Sequence, residues 1–417
     1  MTSTLLPTAP VAETAERPAH RDPNVLRWLG GYTSSAIGDN VYYMALSWAA
    51  VRAGTPAQAG LVTAASAVPR ALLMLGGGVV ADRFGPRRVV VGSTGVRCAL
   101  VVVAALLLLV TSPGLWALGA VAVVFGVVDA VFLPAAGALP ARITGRGQLA
   151  RVQGMRGLAV RLSSVLGGPL GGIGVALGGT AGAFGLAALL IGASLPLLLT
   201  VRVGQLPRDD EKTRGAVFAE LRDGLRHIRH DRVLLPLIVA IALGDLGFVG
   251  PMNLGLTLLA QERGWGSAGM GWVLAGFGVG AAAASSLLAW RGRVPRAGRV
   301  MAVASIAAAV AVGALAQVPS VAGAACVALL VGLVAGLGGA LAGALVQGRA
   351  GAAYVGRVTS VSTLVSFGVA PLTFPVVGWA IASYGTGPVF TACAAICALS
   401  GVVALSSAPL RRAELPR

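Results

Sequence analysis

Three aspartates stand inside otherwise apolar runs: Asp39 in AIGDN, Asp129 in VVDAVF and Asp245 in ALGDL. A carboxylate at the centre of a bilayer costs at least about 2.5 kcal/mol on insertion scales, so an acid there marks either chemistry or a tight structural bond. The chemistry open to such acids is reversible binding of a proton or a cation in alternation with a substrate. Asp39 lies twelve residues beyond Arg27, which at the rise of a helix is roughly 18 Å, near the middle of a membrane. Asp245, thirteen residues beyond Arg232, falls at nearly the same depth. The other reading of both acids is a hydrogen-bonding group that fixes helix packing.

Phe125 and Phe132 sit at i−4 and i+3 from Asp129, so all three share one helical face. An acid flanked by aromatics suits an organic cation; the alternative is an ion pair with an intramembrane arginine such as Arg97 or Arg161. Tyr43 falls on the face of Asp39, Asn40 follows that acid directly, and Asn253 lies two turns beyond Asp245. These three join Phe125 and Phe132 as candidate cavity residues. Arg70 follows Pro69 within an apolar run, where the proline frees a carbonyl that the guanidinium satisfies unless it pairs with an acid. Cys98, Cys326, Cys393 and Cys397 lack CxxC spacing and read as small buried side chains. His227 and His230 lie in the amphipathic stretch FAELRDGLRHIRHDR, expected to rest on the cytoplasmic membrane face. No metal site and no cofactor are expected.

The elements that hold these residues are membrane spans. With 56% apolar residues, 11% charged and a mean hydropathy of +0.83, the chain is far too apolar for a soluble domain. About 20 apolar residues cross a bilayer, and twelve such segments are predicted near 26–50, 57–80, 89–110, 115–139, 154–178, 182–201, 233–259, 267–290, 299–317, 320–346, 358–382 and 386–407. The net charge of +17 is placed on one side: only Arg52 and Arg263 fall in outward loops, and Arg70, Arg97 and Arg161 fall within spans. Cytoplasmic loops attract positive charge, so both termini are expected in the cytoplasm and a nucleic-acid role is excluded. The amino terminus lacks the pattern of a cleaved signal.

A polar interval at 202–232 divides the spans into two sets of six. AIGD at Ala36–Asp39 is echoed by ALGD at Ala242–Asp245. Leu166-Gly167-Gly168-Pro169-Leu170 is echoed by Phe367-Gly368-Val369-Ala370-Pro371-Leu372, after the arginine-bearing turns Gly154-Met155-Arg156 and Gly356-Arg357. The echoes indicate a duplicated six-helix unit. The expected organisation is a disordered cytoplasmic tail at 1–24, bundles at 25–201 and 233–407, a linker with an amphipathic helix at 202–232, and a tail at 408–417.

Between the second and third spans, GGVVADRFGPRR (Gly77 to Arg88) ends a glycine-rich helix at Asp82-Arg83, turns at Gly85-Pro86 and resumes at Arg87-Arg88. This string resembles the signature loop of the major facilitator superfamily. VPRALLMLGGGVVADRFGPRR, ELRDGLRHIRHDRVLLPLI and GRVTSVSTL look like its drug and siderophore exporter branch. The resemblance implies an all-α integral membrane fold, twelve transmembrane helices in two pseudo-symmetric six-helix bundles. It implies a monomeric transporter in the cell membrane, exporting a drug, natural product or siderophore by proton antiport through alternating access. Helices 1, 4, 7 and 10 would then line a cavity and gather Asp39, Asp129 and Asp245 around one chamber. Gly78, Asp82, Arg83, Gly85, Arg87 and Arg88 would form a gating loop, with Asp82 latching onto the positive end of the eleventh helix near Gly356-Arg357. The matching loop of the second half, Trp290 to Arg296, has lost the acid. The string Gly167 to Gly172 resembles the fifth-span motif of exporters.

Other classes fit less well. Lys212 is the only lysine and follows Asp209-Asp210-Glu211, which excludes a phosphate-binding GxxxxGK[ST] loop. An intramembrane aspartyl protease using Asp39 and Asp245 is the enzyme alternative, but both sites read AxGD in place of GxGD. A membrane sensor without transport is the third.

Overall fold

The structure is a computed structural model describing residues 18–111, 114–145, 148–204, 214–291 and 294–414, and its regular elements are helices. Proline and glycine set the boundaries. Helix α1 (Pro23–Ala53) opens on proline, where no amide hydrogen is needed, with the Asp22 carboxylate accepting from the Asn24 N–H. Thr55 and Gln58 form a reciprocal capping box at the start of α2 (Pro56–Phe84). The chain then reverses at Gly85, whose φ of 85° favours glycine, and Pro86 begins α3 (Pro86–Val110). Next come α4 (Leu115–Ala138), a short α5 (Pro140–Ile143) and α6 (Leu149–Leu199), which breaks at Gly178 and Gly179.

After α7 (Arg214–His230), Asp231 accepts from the Val233 and Leu234 amides to cap α8 (Leu234–Gly250). A π-turn at Pro251–Gly255 joins α8 to α9 (Leu256–Glu262). Then follow α10 (Gly266–Arg291), α11 (Ala297–Leu315), α12 (Val321–Tyr384), which breaks at Gly351, α13 (Thr386–Ser406) and α14 (Ala408–Arg411).

Among the described residues, nine stretches are long and apolar enough to cross a membrane, one of them the 49-residue Arg151–Leu199. The break at Gly178–Gly179 makes that stretch two passes, and α1 and α2 complete the twelve expected. Spans 1 to 4 are α1 to α4, and spans 5 and 6 are the two arms of α6. Span 7 is α8 with α9, spans 8 and 9 are α10 and α11, spans 10 and 11 are the arms of α12, and span 12 is α13. Their outer faces carry large apolar side chains such as Leu72, Val110, Trp116 and Leu177, all exposed, as a lipid-facing surface requires.

Three cores order the interior. The largest draws on both bundles, with Val41 to Ala67 from the first and Met252 to Ala260 and Phe374 to Cys393 from the second. The other two lie at the end that bears α7, and each belongs to one bundle: Trp28, Val90 and Phe132 in the first, Leu234, Met301 and Leu345 in the second. The bundles therefore share a core at one end and part at the other.

Glycines permit the shared end. A Cβ on Gly60 of span 2 would strike the Phe374 carbonyl of span 11, and one on Gly378 of span 11 would strike the Pro56 carbonyl of span 2. The same reciprocity joins span 5 to span 8, Gly172 against Ser267 and Gly271 against Gly168. Backbone meets backbone only where no side chain intervenes. Ser47 of span 1 and Thr257 of span 7 add a hydroxyl pair at 2.8 Å. At the α7 end, Gly154, Gly157, Gly339 and Gly343 have open space where a Cβ would stand.

Helix α7 is docked on the second bundle. His227 stacks on Tyr354 with ring centres 4.3 Å apart, Asp223 lies 3.7 Å from Arg357, and Ile228 is buried in the second bundle's core.

Candidate coupling and substrate site

Spans 1 to 4 converge on a buried charge network. Arg97, on span 3, is wholly buried, and its Nη1 donates to Asp39 of span 1 at 2.8 Å to Oδ2 and 2.9 Å to Oδ1. The same nitrogen stands 3.5 Å from Asp129 Oδ1 of span 4, while Nη2 donates to Ser35 Oγ at 3.0 Å. Arg70 of span 2 completes the ring: its Nη1 lies 3.6 Å from Asp129 Oδ2 and donates to the Tyr43 hydroxyl at 3.1 Å. That hydroxyl donates to Asp129 Oδ2 at 3.3 Å. Two carboxylates and two guanidiniums cancel, which is what makes so many charges tolerable away from water.

The aromatics belong to the same network. The Arg97 guanidinium sits 3.6 Å over the Phe132 ring centre and 5.9 Å from that of Phe125. Phe125 in turn stacks on Tyr42 at 3.9 Å. The aromatic faces beside Asp129 thus hold the protein's own cation, which corrects the expectation that they await an organic one. The pairing of Asp129 with Arg97 was one of the two sequence readings; for Arg70 an acid partner was left open, and Asp129 is that acid. Arg70 has taken the acid in preference to the carbonyl freed by Pro69.

Asp245 lies elsewhere. It lines a cavity of about 780 Å³ together with Arg156 and Arg161 of span 5, and with Ser362 and Ser366 of span 11. Ser366 shares the cavity wall with Asp245, and Asp245 Oδ2 is buried without a partner. Phe248 and Phe277 stand over the same space with ring centres 6.0 Å apart. Neither Asp39 nor Asp129 lines this cavity, so the three acids do not surround one chamber. The reason is Arg97, which pulls Asp39 and Asp129 together within the first bundle.

Of the other candidates, Asn40 donates back to the Ala36 carbonyl at 2.8 Å and Asn253 to the Val249 carbonyl at 2.9 Å. Both bonds stay within one span. Asn253 is exposed on the π-turn and, like Asn40, Tyr43, Phe125 and Phe132, is not on the cavity wall. Arg161 lines the cavity and donates to the Ala281 carbonyl at 3.2 Å, so it is not the partner of Asp129. The sequence reading missed Gln153, Arg156 and Ser164 as wall residues. Their signal was present, since 153, 156, 157, 160, 161 and 164 repeat at the spacing of one helix face.

At the loop between spans 2 and 3, Arg87 donates to the Leu199 carbonyl at the end of span 6, Arg83 lies over the Phe84 ring at 5.8 Å, and Arg88 is exposed. Gly78 faces open space. The Asp82 side chain is outside the described residues. Arg357, beside which Asp82 was expected to latch, is engaged by Asp223. Among the described residues no group of three or more His, Cys, Asp or Glu could hold a metal ion.

The family model described as Major Facilitator Superfamily matches residues 28–372. The chain belongs to the major facilitator superfamily. Among similar proteins, the multidrug efflux pump Tap of Mycobacterium bovis (strain BCG / Pasteur 1173P2) is 29% identical over 405 residues, 91% of this chain and 92% of that protein. Tap of Mycobacterium tuberculosis (strain ATCC 25618 / H37Rv) matches equally. Among solved structures, the nucleoside transporter NupG aligns with a TM-score of 0.70 at 14% identity, covering 92% of this chain and 98% of that one. A structure described under substrate recognition in proton dependent oligopeptide transporters aligns with a TM-score of 0.71 at 17% identity, covering 94% and 99%. As a major facilitator protein the chain is a multi-pass transporter of small molecules, with twelve spans in two six-helix bundles.

Proposed function

We propose that this major facilitator protein exports a small organic molecule from the cytoplasm by proton antiport. Bundles at residues 25–201 and 233–407 rock about the site, and the tails at 1–24 and 408–417 and the linker at 202–232 face the cytoplasm of a cell membrane that holds the protein as a monomer. Arginine placement supports an inside position for the α7 end. With the cores parted at that end, it supports reading the present conformation as inward-open, ready to load substrate. Similarity to a multidrug efflux pump supports export.

The observation that carries coupling is the sharing of Arg97 between Asp39 and Asp129. Protonation of either acid releases half of Arg97's hold and lets it turn to the other, which changes the contacts among spans 1, 3 and 4. Asp82 acts as the latch of the opposite, inward-closed state. An aspartyl protease needs two acids sharing one site, and here Asp39 pairs with Arg97 while Asp245 lines a separate cavity.

The test uses everted vesicles with an acidified lumen and a fluorescent pH reporter. Export by antiport is expected to release protons on adding certain compounds from a chemically mixed panel. Compound uptake into the vesicles without any proton movement would overturn the coupling.

A further inference from the structure

The cavity around Asp245 differs from the network around Arg97 in one respect that bears on what it binds: its charges are unspent. Arg156 and Arg161 come from the first bundle and Asp245 from the second, and none of the three has an ion-pair partner among the described residues. Asp245 Oδ2 and Arg156 Nε are both buried without a hydrogen-bond partner. Arg156 rests on the Tyr32 ring at 5.3 Å, and Arg161 gives one donor to the Ala281 carbonyl. A buried polar atom left alone is costly, and a charged one more so. Arg70 Nε and Arg97 Nε are orphaned in the same way inside the paired network, so what sets this cavity apart is the lack of ion-pair partners for its three charges, which a ligand can supply. By contrast, Asp39 and Asp129 are neutralised by the chain's own arginines and offer no free charge.

The complementary ligand must carry both signs. A lone organic cation would satisfy Asp245 and leave two guanidiniums uncompensated; a lone anion would do the reverse. A volume of about 780 Å³ fits one drug-sized molecule. Phe248 and Phe277 supply an apolar wall on the Asp245 side. We propose that this cavity binds zwitterionic amphiphiles, with the ligand's ammonium on Asp245, its anionic group on Arg156 and Arg161, and its apolar body against Phe248 and Phe277. The ligand then bridges the two bundles, so its binding draws the open end together and its departure releases it. The proposal deepens the export reading and rests on it for the direction of transport, although binding itself needs no gradient.

The experiment is equilibrium binding to the full-length protein in lipid nanodiscs, using norfloxacin, which carries an amine and a carboxylate, its ethyl ester, which keeps only the cation, and its N-acetyl derivative, which keeps only the anion. The zwitterion is expected to bind at least about tenfold more tightly than either blocked form, because each charged contact is typically worth that much or more. Asp245→Asn should erase the advantage over the N-acetyl derivative and keep the advantage over the ester. Arg156→Gln with Arg161→Gln should do the opposite, and Asp245→Glu should restore the wild-type order in protein whose melting profile is unchanged. Absence of any preference for the zwitterion, whether all three bind alike or none binds, overturns the proposal. So does a uniform loss across the three probes in a folded variant. The crossed pattern without proton release in vesicles would sink the antiport reading alone, and proton release without the pattern would sink this one alone.

Discussion

Arg97 covers Phe132 at 3.6 Å while its Nη1 lies 2.8 Å from Asp39 Oδ2. A guanidinium on an aromatic face with a carboxylate at its edge is the arrangement a multidrug site would offer to a foreign cation, here closed by a side chain of the protein itself. The first bundle thus holds a paired network of Asp39, Asp129, Arg70 and Arg97, and the unpaired charges lie in the cavity between span 5 and the second bundle.

Asp39→Asn should abolish proton-driven transport in protein that still expresses. The amide keeps the size and one hydrogen bond to Arg97, and Asp129, 3.5 Å from Arg97 and 3.6 Å from Arg70, is left to balance both guanidiniums, so some fall in melting temperature accompanies the loss of coupling. The check is compound-dependent proton release in everted vesicles at matched protein level. Full coupled activity in this variant would remove Asp39 from the mechanism.

Arg97→Gln should be far more damaging to the fold. It leaves Asp39 and Asp129 facing each other in a buried site, with only Arg70 to compensate. Removing one partner of a buried ion pair typically costs about 3–5 kcal/mol, so a marked fall in melting temperature in detergent is expected. Phe132→Leu removes a cation–π contact, worth up to about 2 kcal/mol when desolvated, and part of the packing of a buried core side chain, and should lower it less. Equal stability of Arg97→Gln and wild type would mean that the acids are held by something else.

The span pattern and the isolated acids within it were legible in the sequence because apolar run length and isolated charges are one-dimensional signals. The pairing of Asp39 with Arg97 was not. It depends on how spans 1 and 3 rotate about their axes, which is fixed by contacts such as Gly38 of span 1 against Ile191 of span 6. The expectation of one chamber failed for the same reason: depth can be counted along a helix, but azimuth is set by packing. Arg156 and Gln153 were visible as one face with Arg161, yet a basic residue near a cytoplasmic helix end is also what topology alone would place there.

Asp82→Asn should slow turnover more than it weakens substrate binding. In this conformation, parted at the α7 end, the second-bundle end of the proposed latch is occupied, with Arg357 near Asp223. The acid therefore acts when the α7 end closes, where charge at a helix terminus contributes about 0.3 to 2 kcal/mol according to burial. Steady-state transport and equilibrium binding measured on one preparation separate the two effects. Unchanged turnover with altered affinity would count against a latch.

The outer end should respond in the opposite sense to added bulk. Gly60 and Gly378 each admit the other helix's backbone, at the Phe374 and Pro56 carbonyls, so a Leu at either place must push spans 2 and 11 apart. Backbone carbonyls inside a packed helix cannot yield as a flexible side chain would. The energy is relieved by adopting the state in which these helices separate, the outward-open one. With the four native cysteines replaced by Ser, a Ser47→Cys probe sits behind the seal, since Ser47 is buried against Thr257. Gly378→Leu should raise its labelling rate by an impermeant maleimide at least about tenfold, the signature of a population shift of roughly 1.4 kcal/mol. A probe at Gly343, which faces open space at the α7 end, should become slower to label from the inside in the same variant. If both probes label faster, the substitution has loosened the protein rather than switched it, and the reciprocal glycines would be packing sites without a role in the outer gate.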